Sequence, residues 1–187
     1  AFLGSYEARF FGSESLRWRV FGNWQQYVAS DLGFGDASYK GDGWSAGAEL
    51  VGNVFQQRDL FIDLVGGMRY ERQSVDNEIA GTQGESPFLF QYVGVNLERF
   101  APTASTYGSL RLEWTLSDLA DVNENELDEL GRIDTDEDWV VLKFDFYQSF
   151  YLEPLFAGAA WPDPDQPGAH TLAHEIALSA RGQYAFG

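Results

Sequence analysis

The chain has 187 residues, 12 of them basic and 29 acidic, giving a formal net charge of -17. That balance excludes the basic footprint needed to neutralise nucleic-acid phosphates. The absence of cysteine excludes disulfides, thiolate metal sites and cysteine nucleophiles.

No apolar run approaches the ~18 residues of a membrane-spanning helix. The 15 Phe, 9 Tyr, 6 Trp and 20 Gly, against one Met, favour long strands and tight turns. Period-2 alternation then predicts strands at about residues 2–11, 16–25, 43–55, 60–73, 88–100, 106–117, 139–152, 155–161 and 172–186. In the second, Leu16, Trp18, Val20, Gly22 and Trp24 oppose Arg17, Arg19, Asn23 and Gln25. In the fourth, Leu60, Ile62, Leu64, Gly66, Met68 and Tyr70 oppose Phe61, Asp63, Val65, Gly67 and Arg69. The sixth sets Gly108, Leu110, Leu112, Trp114 and Leu116 against Ser109, Arg111, Glu113 and Thr115. The seventh sets Val140, Leu142, Phe144 and Phe146 against Val141, Lys143, Asp145 and Tyr147. The last sets Ile176, Leu178, Ala180, Tyr184 and Phe186 against Glu175, Ser179, Arg181 and Gln183.

Length decides what kind of strand this is. Soluble strands usually run ~5–6 residues, whereas a strand crossing the hydrocarbon at a tilt needs ~9–11. Most segments here sustain that length. Short connections at Gly12–Ser15, Gln56–Asp59 and Ala101–Ser105 alternate with long polar ones at Gln26–Asp42, Val75–Ser86 and Asp118–Asp138. Short turns on one side and long loops on the other are the asymmetry of an outer-membrane barrel. The expected fold is therefore all-β, an antiparallel up-and-down transmembrane β-barrel in the bacterial outer membrane. The eighth strand, Leu155–Trp161, is required by the alternation: it puts Pro162, Pro164 and Pro167 in a long loop. A bacterial single-chain barrel has an even strand count, so about nine strands predict an incomplete barrel, with residues 1–187 part of one barrel domain.

The faces assign themselves by cost, since charges facing lipid are expensive. Expected toward the lumen are Arg17, Arg19, Glu49, Asp63, Arg69, Glu71, Glu98, Arg111, Glu113, Lys143, Asp145, Glu175 and Arg181. Expected toward lipid are Trp18, Val20, Ile62, Leu64, Leu110, Leu112, Trp114, Leu142, Phe144, Ile176 and Leu178. Trp18, Trp24, Trp44, Trp114, Trp139 and Trp161 fall at or near strand ends, as interfacial girdles do. The competing interpretation of the charges is the solvated face of a soluble β-sandwich binding module.

Enzyme and cofactor motifs fail. The loop Asp118–Asp138 holds ten carboxylates with Arg132 as the only counter-charge. Asp121, Asn123 and Asn125 match the opening of a Ca²⁺ loop, but Glu126 stands where Gly is needed and Arg132 where a bidentate Glu is needed. A solvated external loop is the simpler account, with divalent-ion bridging to lipid headgroups as its rival. His170 and His174 are separated by about 13 Å on an extended strand, and Leu178 replaces the second His of a zinc-protease motif. Gly33-Phe34-Gly35 and Gly41-Asp42-Gly43 are loop glycine pairs without a third Gly at dinucleotide spacing. No enzyme activity, cofactor or metal is expected.

The stretch Thr171-Leu172-Ala173-His174-Glu175-Ile176-Ala177-Leu178, with Arg181-Gly182-Gln183-Tyr184, resembles the barrel of hemolysin-activator-type outer-membrane transporters, the translocators of two-partner secretion. Their superfamily includes the barrel-assembly proteins. The resemblance implies a sixteen-stranded barrel preceded by periplasmic POTRA domains, with this segment spanning roughly the second to tenth strands. It implies transport of an unfolded polypeptide without nucleotide or catalysis. The POTRA domains and the family's Val-Arg-Gly-Tyr/Phe loop are not in this segment, so no functional residue carries over. The implied function is an outer-membrane translocation pore for secretion or insertion of polypeptides, whose partners are lipid and the exported chain. A diffusion porin or a general assembly barrel is the alternative.

Overall fold

The computed structural model describes residues 1–29, 39–77, 82–120, 138–157 and 172–186. The described strands are β1 (Phe2–Arg9), β2 (Leu16–Ala29), β3 (Tyr39–Gln57), β4 (Leu60–Asn77), β5 (Thr82–Ala101), β6 (Ala104–Thr115), β7 (Val140–Tyr151) and β8 (Glu175–Phe186). Two short helices, α1 (Ser117–Ala120) and α2 (Glu153–Ala157), accompany them. All eight strands pair antiparallel in sequence order within one sheet, with no crossover. The sheet is open, because β1 and β8 do not pair with each other.

Two expectations need correction. Eight strands are described, not nine: Leu155–Ala157, expected to begin a strand, are helical. Pro154 lies in the first turn, where a missing N–H leaves no helical bond broken, and Glu153 places negative charge at the positive end of that turn. Leu152 O accepts from the N–H groups of Leu155 and Phe156 at 3.0 and 3.3 Å. Because Tyr151 pairs with Glu175, the connection containing Pro162, Pro164 and Pro167 returns on the short-turn side. The second correction concerns strand length. β3, β4 and β5 run 19, 18 and 20 residues. Gly41-Asp42-Gly43 and most of the expected loop Val75–Ser86 are therefore strand. The calcium-like stretch from Asp121, Gly33–Gly35, Trp161 and His170 lie outside the described residues.

Tight turns hold the register. Arg58 sits in the left-handed region (φ 56°) between β3 and β4, and Phe11 (φ 46°) and Gly12 (φ 77°) turn β1 into β2. A bulge at Val54 shifts the pairing from Asn53↔Asp63 to Phe55↔Ile62, which moves Phe55 onto the face of Ile62. One extra residue inverts every side chain beyond it.

The sheet is curved, and its concave face is the polar one. Side chains two strands apart meet across that face. Arg17 on β2 reaches Asp63 on β4 at 2.8 Å, and Tyr92 on β5 reaches Glu49 on β3 at 2.7 Å. Arg69 on β4 reaches Glu113 on β6 at 3.2 Å. Strands two apart in a flat sheet stand ~9.5 Å apart, so such contacts need side chains that converge. Buried Val51, Val65, Phe88, Phe90, Tyr92 and Val141 lie on the same face, which is therefore both the more charged and the more buried.

Candidate functional site: the charged concave wall

The strand register puts Arg17, Arg19, Glu49, Asp63, Arg69, Glu71, Glu98, Arg111, Glu113, Lys143, Asp145, Glu175 and Arg181 on the concave face. It puts Trp18, Val20, Ile62, Leu64, Leu110, Leu112, Trp114, Leu142, Phe144, Ile176 and Leu178 on the convex face. Leu64, Leu178 and Phe144 are well exposed there.

Most charges of the wall pair with one another, in three clusters and one separate pair. Arg17 bridges Glu7 (2.9 Å) and Asp63 (2.8 Å), and Asn53 Nδ2 donates to the second Asp63 oxygen at 2.7 Å. Glu49, whose side chain is 1 % exposed, is held by Arg19 and by the Tyr92 hydroxyl. Glu113, 3 % exposed, receives Arg69 at 3.2 Å and Lys143 Nζ at 2.5 Å. Burying a carboxylate is costly unless opposite charge and hydrogen bonds replace its water, and both buried acids obtain these. Arg69 also pairs with Glu71 at 3.3 Å and lies over the Phe90 ring, while Arg111 stacks over Tyr92 at 4.5 Å. Arg181 pairs with Asp145 at 2.5 Å near the free β8 edge. Glu98 lines a cavity with Arg9, Arg17 and Asp63, and Glu175 is exposed at the rim.

Gly67 makes the Tyr92–Glu49 contact possible. A Cβ there would stand 2.6 Å from Ala48 O, 2.7 Å from Glu49 Cβ and 2.7 Å from Tyr92 Oη. Any side chain on β4 at this point would lift the phenol off the sheet.

Sequence reasoning missed Tyr92, Glu7 and Asn53. Tyr92 was findable, because Asn96 and Glu98 fix the phase of β5 and place residues 88, 90 and 92 with them. It also misplaced Trp139. This ring packs against Phe88 and Phe90 at centroid distances of 5.8 and 5.9 Å, on the concave side and not in an outer girdle. The start of the β6–β7 connection follows it inward, with Ala120 of α1 buried in the same cluster.

The convex face shows the complementary pattern. Between Trp44 and Gly52, Leu60 and Tyr70, Pro87 and Leu97, and along all of β6, β7 and β8, it carries no Asp, Glu, Lys or Arg. Its charges are Lys40, Asp42, Arg72, Asp76 and Glu85 beyond one end of this belt, and Arg99 at the other. Trp44 and Tyr70 pack at 5.3 Å at the first of these boundaries. Outside the belt, on the short-turn side, Glu153 Oε1 accepts from the N–H groups of Ala173 (3.0 Å) and His174 (2.8 Å) and contacts His174 Nδ1 at 2.8 Å. Partial burial pushes its carboxyl up, but hydrogen bonding from its own backbone N–H, together with the bonds from His174 and Ala173, outweighs this and brings it down to about 2.

No protein-family model, curated protein or solved structure matches the chain. Its function is therefore argued from the two faces.

Proposed function

We propose that this chain is part of an outer-membrane β-barrel whose concave wall lines a pore for the secretion or insertion of polypeptides. The observation that carries it is the inverted distribution of polarity: charges on the buried concave face, a charge-free belt on the exposed convex face. A soluble sheet has no reason to leave Leu64, Leu178 and Phe144 exposed across a belt while folding arginines and carboxylates against its own backbone. The belt from Leu60 to Tyr70 rises about 33 Å along the strand, or about 25 Å at a tilt of ~40°, the height of a barrel's apolar band. Its free edges fit the same account. Backbone groups at an open edge in hydrocarbon are unsatisfied, so β1 and β8 pair with further strands in the membrane.

The wall supports polypeptide passage, because its charges are mostly paired to each other. An extended chain can be solvated by such a surface without being gripped by it. This part of the proposal also draws on the resemblance of residues 171–184 to two-partner secretion transporters.

The test is refolding from urea into detergent micelles. An unheated sample migrating faster than a boiled one, with single-tryptophan variants at Trp18, Trp44 and Trp114 quenched by brominated lipid and Trp139 not, supports the barrel. A monomer that stays soluble without detergent and shows no quenching overturns it. Single-channel recordings then separate the pore types: intermittent block by an unfolded polypeptide supports translocation, and a steady open conductance indifferent to polypeptide supports a diffusion porin.

A further inference from the structure

We propose that the concave wall between β6, β7 and β8 holds an anion subsite, taking a carboxylate or phosphate group between Arg111, Lys143 and Arg181. The inference rests on the concave face being the pore lining. A cavity of about 510 Å³ opens there, lined by these three cations and by Ser109 and Gln183, with Asp145 as its only acid among the described residues. In a chain of net charge -17, a cavity with three cations and one carboxylate is a local reversal of sign.

The register sharpens the point. Arg111 stands directly opposite Lys143, and like charges in that relation on an antiparallel pair are destabilising. Lys143 is compensated by Glu113 and Arg181 by Asp145. Arg111 makes no ion pair among the described residues. Its guanidinium carbon instead lies over the Tyr92 ring, 4.5 Å from the ring centre. Tyr92 is itself fixed by its bond to Glu49, so the arginine is positioned without its charge being neutralised. A guanidinium held over a ring by its charge keeps N–H donors for a bidentate acceptor, which suits carboxylate and phosphate oxygens. The ligand is either an acidic side chain of a passing polypeptide or a free anion, and the two share this chemistry.

The test is fluorescence anisotropy of hexaglutamate carrying a neutral dye, with the protein folded in micelles at low salt. Hexaglutamine is the control and inorganic phosphate the competitor. The expected result is binding of hexaglutamate at least about tenfold tighter than hexaglutamine, with Arg111→Gln losing about tenfold, the scale of one charge-assisted contact. Ser109→Glu, which removes no ion-pairing residue of the wall and adds an acid to the cavity opposite Asp145, is expected to abolish the preference. Displacement only by carboxylate peptide assigns the site to polypeptide side chains, and displacement by phosphate at similar concentration assigns it to free anions. Equal binding of the two peptides, or binding unaffected by Ser109→Glu, overturns the inference. Heat-modifiable migration is scored on the same samples: folded protein without the preference refutes this subsite alone, and failure to fold in micelles refutes the barrel.

Discussion

Replacing Leu64 by Arg tests the convex face at its most demanding point. Leu64 lies near the middle of the charge-free belt that runs from Leu60 to Tyr70 and is 53 % exposed. If that exposure is to water, the substitution removes only the half of a leucine that is buried and leaves the new charge solvated. The cost is then about 1 kcal/mol or less, half the worth of a fully buried leucine. If the exposure is to lipid, an arginine near the bilayer midplane costs about 2–4 kcal/mol, falling to about 0–1 near the interface. Ser74→Arg supplies the internal control, because Ser74 is on the same face but beyond the belt, beside Asp42 and Glu85 in the register. The assay is reversible urea unfolding in phospholipid vesicles followed by tryptophan fluorescence. The expected outcome is a Leu64→Arg loss at least about 2 kcal/mol larger than that of Ser74→Arg. Equal losses at the two positions would refute the assignment of the belt to lipid.

Three further outcomes follow from the wall and its margin. Tyr92→Phe removes a hydrogen bond to a buried carboxylate and is expected to cost about 1.5–3 kcal/mol in the same unfolding assay, with Glu49→Gln sharply reducing the effect in a double-mutant cycle. Additivity of the two substitutions would show the contact to be idle. Gly67→Ala forces a Cβ into the space held by Ala48, Glu49 and Tyr92 and is expected to cost about 1–3 kcal/mol, whereas Gly12→Ala meets open space and is limited to backbone strain. A Gly67→Ala protein as stable as the parent would contradict the packing around the phenol. The Glu153 carboxyl, lowered from 4.5 to about 2, stabilises the return of the chain into β8 fully above pH 4.5 and progressively less as pH falls toward 2. Hydrogen exchange at Ala173 and His174, corrected for the intrinsic rate, should accelerate over that window in the parent protein and be pH-independent in Glu153→Gln.

Much of this was legible in the sequence because a strand has a two-residue period and the two faces differ chemically. Leu110, Leu112 and Trp114 alternate with Arg111 and Glu113 without exception, and the register follows that alternation. Legibility failed where the period is not the controlling physics. The helix at Glu153–Ala157 is set by a proline in its first turn and by terminal electrostatics, neither of which an apolar alternation reports. The concave placement of Trp139 depends on Phe88 and Phe90, residues distant in sequence whose phase had to be carried along β5 from Asn96 and Glu98. Ion pairing across two strands depends on curvature, which no local pattern encodes. The bulge at Val54 is the same lesson in miniature, since it silently reverses which of Phe55 and Gln56 looks outward.

The strictly sequential pairing of β1 through β8 has a kinetic consequence. Each strand needs only its predecessor, and the closures through Arg58-Asp59 and Pro102-Thr103 are among the shortest a chain can make. Brief loops cost little entropy to close, so the β3–β6 hairpins are the natural nucleus, and growth proceeds outward from them. The chain between Tyr151 and Glu175 must be closed at greater cost, which places β8 late. At every stage the growing sheet ends in two unpaired strands that can template the wrong neighbour. If the proposed barrel is right, a protein built this way gains from being delivered to a membrane while its edges are shielded, and in water it is expected to aggregate through β1 and β8 before any other part.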